Sequence, residues 1–488
     1  MNESATSKPD PMDDDHQVTD ILVVDMDGTL LRTDVLFESL AALLKQPWSL
    51  FVVMVSLLRG RPAMKAAMAR HADLDIEQLP ANAALVEWLH RQRDAGRRLA
   101  LYSASNKDIV DRVAKRFGVF EFARGSDGRT NLAGDRKCEA IEARYGTQFC
   151  YIGDSPRDLP IWRRCGKAVL VGDVDRLRGS LVATVTVEES FPVPRAGIAL
   201  WLRALRIHQW VKNALVFVPL LLSGHVTAGN IVSATLAFVT LGLVASATYL
   251  INDLMDLPAD RAHPAKRQRP FASGALSIRA GFIAVPFLAG AAAVILAQLP
   301  RQFSVVVAVY VVCTIAYSMR VKEAPILDLI VLAFLFTLRL VAGMVVIEAA
   351  RFSPWLLTFS MFFFFSVASI KRYGEVRMMA ARGTLEVAGR GYRSSDGGFL
   401  MTIGLTAGLC STLVFFIYLV DPASPAYGFA HPELMWIICV ILGYWLSRAW
   451  LLASRGMMHV DPVLFALRDH VSLALGALTI VVSIAARW

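Results

Sequence analysis

Cysteine is scarce in this chain: six in 488 residues, with no C-x-x-C pair. That excludes a disulfide-stapled secreted module, and the sparse thiols fit a reducing compartment. Charge is also thin. Charged residues make up 19% of the chain and apolar ones 55%, against roughly 25% and 45–50% in average globular chains. The apolar excess excludes an intrinsically disordered chain, argues against an ordinary soluble enzyme and points to several membrane spans. The opening residues, MNESATSKPDPMDDDH, lack the basic stretch and apolar core of a secretory signal; residues 1–19 are expected as a disordered tail. In the later part of the chain the scarce residues are acidic. Residues 1–194 hold 26 Lys and Arg against 28 Asp and Glu, whereas residues 195–488 hold 24 against 13. The net charge of +9 therefore belongs to the apolar part.

What is present falls into two parts. Short apolar runs at Ile21–Val24, Leu99–Tyr102, Phe149–Ile152 and Ala168–Val171 alternate with helical patterns such as Ile109–Phe117 and Cys138–Tyr145. The alternation predicts a doubly wound α/β domain over 20–190. Inside it, residues 47–58 read PWSLFVVMVSLL, without a charge. That is shorter than the ~20 residues needed to cross a bilayer. It reads as a buried cap helix or as a helix resting on the membrane surface. A linker is expected over 191–205, where FPVPR interrupts the pattern.

Over 206–488, apolar runs recur near 210–223, 230–251, 281–299, 303–319, 325–347, 354–370, 399–420, 434–453 and 470–486. These predict an all-α bundle of nine transmembrane helices. Basic residues crowd the loops 252–280, 320–324, 371–398 and 454–469, and are missing from GHVTAGN and DPASPAYGFAHPE. The positive-inside bias places the crowded loops and the N-terminal domain on the cytoplasmic side of an inner membrane, and nine spans leave the C-terminus opposite. The positive charge is thereby assigned to membrane loops, and no nucleic-acid partner is expected.

The segment VVDMDGTLL sets Asp25 and Asp27 directly after the first apolar run, with Gly28 for a sharp turn. Ligands of open α/β sheets gather at the carboxyl ends of strands. Two carboxylates two residues apart at such a place suit a nucleophile and a proton donor. Ser103 ends the next run and suits a hydrogen bond to a phosphate oxygen, while Lys137 opens a helix and suits neutralising phosphate charge. YIGDSPRDLP adds Asp154 and Asp158, hard oxygen ligands for Mg²⁺.

D-x-D-G-T-L, then a Ser after a strand, then a Lys, then G-D-S-x-x-D, in this order, resemble the haloacid dehalogenase (HAD) phosphatase superfamily over about residues 20–180. The resemblance implies a Rossmannoid α/β domain with a helical, substrate-selecting cap at about 31–95. It implies Asp25 as nucleophile and metal ligand, Asp27 as general acid and base, and Ser103 and Lys137 as phosphate binders. One Mg²⁺ would be held with Asp154 and Asp158.

The second span runs out into YLINDLMDLPADRAHPAKRQRP. Asn252, Asp253, Asp256 and Asp260 recur there at helical spacings, so one face could present several carboxylates. Carboxylates at a bilayer edge are costly and read as functional, and such a row suits Mg²⁺ bound jointly with substrate phosphates. Lys266, Arg267 and Arg269 follow and suit direct contact with phosphate oxygens. N-D-x-x-D-x-x-x-D among these spans resembles the UbiA superfamily of intramembrane prenyltransferases. Many of its members carry a second motif, D-x-x-x-D; here Asp328 is followed at the matching place by Leu332, so that pair is broken. RIHQWVKN (Arg206–Asn213), NDLMDLPADRAHPAKRQRP (Asn252–Pro270), Tyr317–Lys322, LRLVAG (Leu338–Gly343), KRYGE (Lys371–Glu375) and ALRD (Ala466–Asp469) resemble one branch, the decaprenyl-phosphate phosphoribosyltransferases.

That branch resemblance implies a polyprenyl phosphate acceptor and 5-phosphoribosyl 1-diphosphate (PRPP) as donor, in the making of a lipid-linked arabinose precursor. It implies Asp253 and Asp256 as catalytic and, with Asp260, as ligands of one or two Mg²⁺. Lys212, Asn252, Lys266, Arg267, Arg269, Tyr317, Lys322, Arg339, Lys371 and Arg372 would bind substrate. The HAD-like domain would then remove the 5-phosphate of the product. The alternative is a UbiA-type prenyltransferase moving a polyprenyl group from its diphosphate to an aromatic acceptor. A homo-oligomer stays open.

Overall fold

The computed structural model describes residues 21–127, 131–194, 196–223, 226–264, 266–347, 353–381, 390–421, 430–458 and 461–486. The tail expected over 1–19 lies outside them. The chain forms two compact units: Met1–Trp201 with Asp253–Phe282, and Leu202–Asn252 with Ile283–Trp488.

In the first unit, β1 (Ile21–Asp25) opens with four buried apolar residues and closes on Asp25, as a parallel strand covered by helices on both faces and carrying a site at its carboxyl end requires. Four helices follow before the chain re-enters the sheet: α1 (Val35–Leu43), α2 (Pro47–Ser56), α3 (Arg61–His71) and α4 (Ala83–Asp94). They occupy the interval expected as the cap. Asp34 starts α1 by accepting from the Leu36 amide at 2.9 Å. Then come β2 (Leu99–Asn106), α5 (Lys107–Phe117), β3 (Phe122–Ser126), α6 (Asp135–Tyr145), β4 (Phe149–Gly153), α7 (Leu159–Cys165), β5 (Lys167–Gly172), α8 (Val174–Ser180), β6 (Thr186–Pro192) and α9 (Ile198–Ala204).

The strand order is β3-β2-β1-β4-β5-β6, with neighbours parallel throughout. The chain leaves β1 toward β2 and later returns to its other side at β4. A crevice therefore opens at the carboxyl ends of β1 and β4. The expected strands are β1, β2, β4 and β5. The edge strands β3 (FARGS) and β6 (TVEESFP) carry polar and charged residues and are partly exposed, so they gave no apolar run to read.

The helical elements continue as α10 (Val218–Ser223), α11 (Ala228–Met255), α12 (Leu257–Ala262), α13 (Ile278–Leu296), α14 (Arg301–Met319), α15 (Leu327–Val346), α16 (Pro354–Ala381), α17 (Gly397–Val420), α18 (Trp436–Ser454), α19 (Pro462–Ala466) and α20 (His470–Ala485). Among the described residues seven helices are long and apolar enough to cross a membrane: α11 and the six from α13 to α18. The first and last of the nine expected spans are shorter. One is a 3-10 stretch, Ile207–Phe217, followed by the six-residue α10. The other is the 16-residue α20, about 24 Å long against a hydrocarbon core of about 30 Å. In the second unit, α15 is the most buried of the candidate spans; α16 packs against both α15 and α17.

Candidate active sites

The crevice at β1 collects the first set of expected residues. The Lys137 amine lies 2.6 Å from Asp25 Oδ1, and the Met26 amide donates to the same oxygen at 2.9 Å. Asp27 is held by three donors: the Val35 amide at 2.8 Å to Oδ1, and the Ser103 and Ser105 hydroxyls at 3.1 and 2.8 Å to Oδ2. Burial, followed by the nearby Asp34 charge, pushes the Asp27 carboxyl up to about 7. Asp154 accepts from the Thr29 hydroxyl at 3.3 Å, and Asp158 from Tyr151 and the Ser155 amide, both at 3.1 Å. Burial and then the Asp25 charge raise Asp154 to about 8 and Asp158 to about 6.

Oxygens of Asp25, Asp154 and Asp158 lie within 4.8 Å of one another. Three carboxylates crowded this way repel, and a hard cation relieves the repulsion, so the donor set fits Mg²⁺. Gly28 is required at the turn. Its φ is +81°, and a Cβ there would overlap the Asp154 carboxylate. A cavity of about 1110 Å³ opens over the cluster, with Asp25, Asp27, Ser105, Lys137, Arg157 and Arg279 on its wall.

Ser103 stands elsewhere than on that wall. It is fully buried and donates to Asp27 while its oxygen accepts from the Ser105 amide. Ser105, two residues on and so on the same face of β2, supplies the hydroxyl that lines the cavity. Sequence reasoning passed over Ser105, Thr29 and Arg279. The first had a usable signal, the small polar run after Tyr102; Arg279 had none, being far along the chain.

The acidic row behaves differently. Asp253 closes the last turn of α11, Asp256 stands at the break before α12, and Asp260 lies within α12. Arg269 reaches back to bridge Asp253 and Asp260 at 3.2 and 2.7 Å, both carboxylates being buried. Asp256 pairs instead with Lys45 at 2.8 Å. Lys266 and Arg267 are exposed on the loop and Asn252 is half-buried. In the same unit, Glu38 of α1 makes a buried pair with both terminal nitrogens of Arg261, at 3.1 and 2.5 Å.

In the second unit, Lys212 and Lys371 share one carboxylate, Asp461, at 3.0 and 3.5 Å. Burial works to raise that carboxyl, but the two lysines hold it below the usual carboxylate range. Asp461 was not among the expected residues. Arg339 is buried and held by neutral partners: Asn213 at 2.9 Å, the Leu335 carbonyl at 2.5 Å and the Tyr310 hydroxyl at 3.1 Å. Arg372 pairs with Asp328 and with Glu375, and Tyr317 accepts from Arg390 at 2.8 Å. Lys322 is half-buried in the short 3-10 turn Val321–Glu323.

Comparison with known proteins finds two families along the chain, and the later match takes in residues 253–282 of the first unit. The UbiA prenyltransferase family matches residues 214–467, and the haloacid dehalogenase-like hydrolase family matches residues 22–163. The chain belongs to the UbiA prenyltransferase family and is a multi-pass membrane protein with a HAD-like hydrolase region ahead of its spans. It is 37% identical over 466 residues to the protein y4nM of Sinorhizobium fredii, covering 94% of this chain and 89% of that one. It is 34% identical over 234 residues to decaprenyl-phosphate phosphoribosyltransferase of Mycolicibacterium smegmatis, covering 46% of this chain and 73% of that one. A solved UbiA homolog from Archaeoglobus fulgidus bound to DMAPP and Mg²⁺ aligns at 16% identity with a TM-score of 0.45, over 59% of this chain and 98% of that one.

Proposed function

We propose that this chain is a bifunctional membrane enzyme. Its UbiA half transfers 5-phosphoribosyl from PRPP to polyprenyl phosphate, and its HAD half removes the 5-phosphate from the lipid product. The observation that carries the reading is the pairing of the two parts in one chain. The relative of the UbiA half is named a phosphoribosyltransferase, and such a reaction yields a phosphomonoester, the class of substrate that the Asp25 site is built to cleave.

In the transfer step, a phosphate oxygen of the lipid bonds to C1 of the ribose as the C1–O bond to diphosphate breaks. C1 carries developing positive charge and the departing diphosphate carries negative charge. Basic side chains that meet the leaving group stabilise it. Lys266, Arg267 and Arg269 are assigned to the donor phosphates, with Lys212, Asn252, Tyr317, Lys322, Arg339 and Lys371 as the further binding set; Arg372, sealed against Asp328, stands outside it. Asp253 and Asp260 already converge on a cation, the Arg269 guanidinium. They would hold Mg²⁺ that arrives with the diphosphate; Asp256, paired with Lys45, stands outside that pair. The cytoplasm is the side on which PRPP is met, so the basic loops face it.

In the hydrolytic step, Lys137 and the Met26 amide hold Asp25 Oδ1, which directs Oδ2 to phosphorus. The P–O bond to the sugar breaks as Asp27 gives its proton to the leaving 5-oxygen. Asp27 then takes a proton from water, which attacks phosphorus and frees Asp25. The value near 7 for Asp27 suits both directions of transfer at neutral pH. Asp25, Asp154 and Asp158 would hold Mg²⁺, which would neutralise the phosphate oxygens.

The test is the mass of the lipid product made by full-length chain in membranes. Asp25→Asn accumulates a product heavier by one phosphate than wild type. Identical products from the two would overturn the phosphatase half.

A further inference from the structure

The helix α2 shows two unlike faces. Val53 is buried and Leu50 packs on the domain core. The other face carries Trp48, Phe51, Met54 and Val55, and Leu58 in the 3-10 turn Leu57–Arg59 that follows continues it; all are exposed, with Trp48 at 77% and Leu58 at 88%. Trp48 and Phe51 stack with ring centres 5.8 Å apart. Positions 48, 51, 55 and 58 follow one side of a helix, so this is a continuous apolar stripe. A stripe of large apolar side chains, led by a Trp, is what an interfacial helix lays into the headgroup and acyl boundary.

Observations within the same unit say what covers the stripe. That unit contains the last turn of α11 and the first turn of α13, ends of two candidate spans, and such ends mark the edge of the bilayer. The cap is fastened to both. Phe37 of α1 packs on Phe282 of α13 with ring centres 6.2 Å apart. Lys45 pairs with Asp256 at the end of α11, and Glu38 holds Arg261 just beyond it. From Phe37, about one and two-thirds turns of α1 and three linking residues lead to α2, a reach of roughly 23 Å at most. Leu57, next after α2, and Met64 and Met68 of α3 also line the cavity above Asp25. An apolar path thus runs from the stripe to the phosphate-binding cluster.

We propose that α2 is an interfacial anchor that seats the cap in the lipid surface, so that the Asp25 cavity receives phosphomonoesters carried on a membrane lipid. The second clause rests on the phosphatase reading above; the seating itself does not.

The experiment uses full-length chain in vesicles of phosphatidylcholine and phosphatidylglycerol, with photo-reactive benzoylphenylalanine at position 51 or, as a control, at the exposed position 111 on α5. The expected result on illumination is a lipid adduct at 51 and none at 111. Adducts at 51 only to protein, or none, would overturn the seating. A second arm compares wild type with the triple variant Trp48→Ser, Phe51→Ser, Leu58→Ser. One substrate is p-nitrophenyl phosphate in solution; the other is the heavier lipid extracted from Asp25→Asn membranes and returned to vesicles. The variant is expected to keep its rate on the soluble ester and to lose about tenfold on the lipid. Equal rates on both would overturn the lipid-delivery clause. If wild type hydrolyses neither substrate, the phosphatase reading falls, and the adduct at 51 still decides the seating.

Discussion

Arg372 and Asp328 form an ion pair at 2.7 Å with both side chains sealed from solvent, at 1% and 0% exposure. Tyr392 donates to the other Asp328 oxygen at 2.6 Å. Asp328, four residues before Leu332, is spent on an internal contact between α15 and α16. Removing one partner leaves a buried charge, which costs about 3–5 kcal/mol. Asp328→Asn should therefore lower the unfolding midpoint of the detergent-solubilised protein sharply. Tyr392→Phe, which removes one hydrogen bond to that charge, should cost about 1–3 kcal/mol.

The Asp27 carboxyl is raised to about 7 by burial and by Asp34. An acid donor is present in its protonated form below that value and is lost above it. The kcat/KM for phosphate ester cleavage should fall on the alkaline side of pH 7. Asp34→Asn keeps the cap on α1 but removes one cause of the shift, so this limb should move to lower pH. Asp27→Asn should reduce kcat by about 10²–10⁴-fold. A pH–rate profile of the three proteins checks this.

Burial and neighbouring carboxylates hold Asp154 near 8. A metal ligand must be deprotonated, so Mg²⁺ competes with a proton there. Mg²⁺ affinity of the HAD site should rise as pH rises from 6 toward 8, and binding should release protons. Calorimetric titration in buffers of different ionisation enthalpy reads both. Asp154→Asn should remove most of the affinity and shift the remaining pH dependence down toward that of Asp158, near 6.

Glu38 and Arg261 meet within one compact unit, although they lie in the HAD-like and UbiA-like parts of the sequence. Glu38 also accepts from Thr33 at 2.7 Å. Glu38→Gln should therefore impair lipid labelling as well as phosphate ester hydrolysis, while Glu38→Gln with Arg261→Gln should lose less stability than the sum of the single changes. Unfolding midpoints and the two activities measured on one preparation check the coupling.

The HAD site was legible because its residues sit at the ends of apolar strands, at Asp25 and Asp154, where a short motif fixes geometry. Ser105 was missed because β2 runs past its apolar part to Asn106, and strand period then puts Ser103 and Ser105 on one face. The edge strands β3 and β6 have no buried run to announce them. The acidic row looked like one face, since Asp253, Asp256 and Asp260 keep helical spacing; the break at Asp256 and the return of Arg269 are tertiary facts. Asp461 lies 249 residues from Lys212, a pairing that no local pattern encodes. Arg339 is expected from the sequence to bind substrate, and its partners in the fold are the neutral groups of Asn213, Leu335 and Tyr310.

The central claim is a phosphoribosyl transfer to lipid, and labelled PRPP tests it most directly. Membranes bearing the full chain are given polyprenyl phosphate, Mg²⁺ and PRPP labelled in the ribose, and the lipid extract is counted. Label should enter lipid with wild type and with Asp25→Asn, and should fail to enter with Asp253→Asn. No label in lipid from wild-type membranes, with the protein present and folded, would contradict the account.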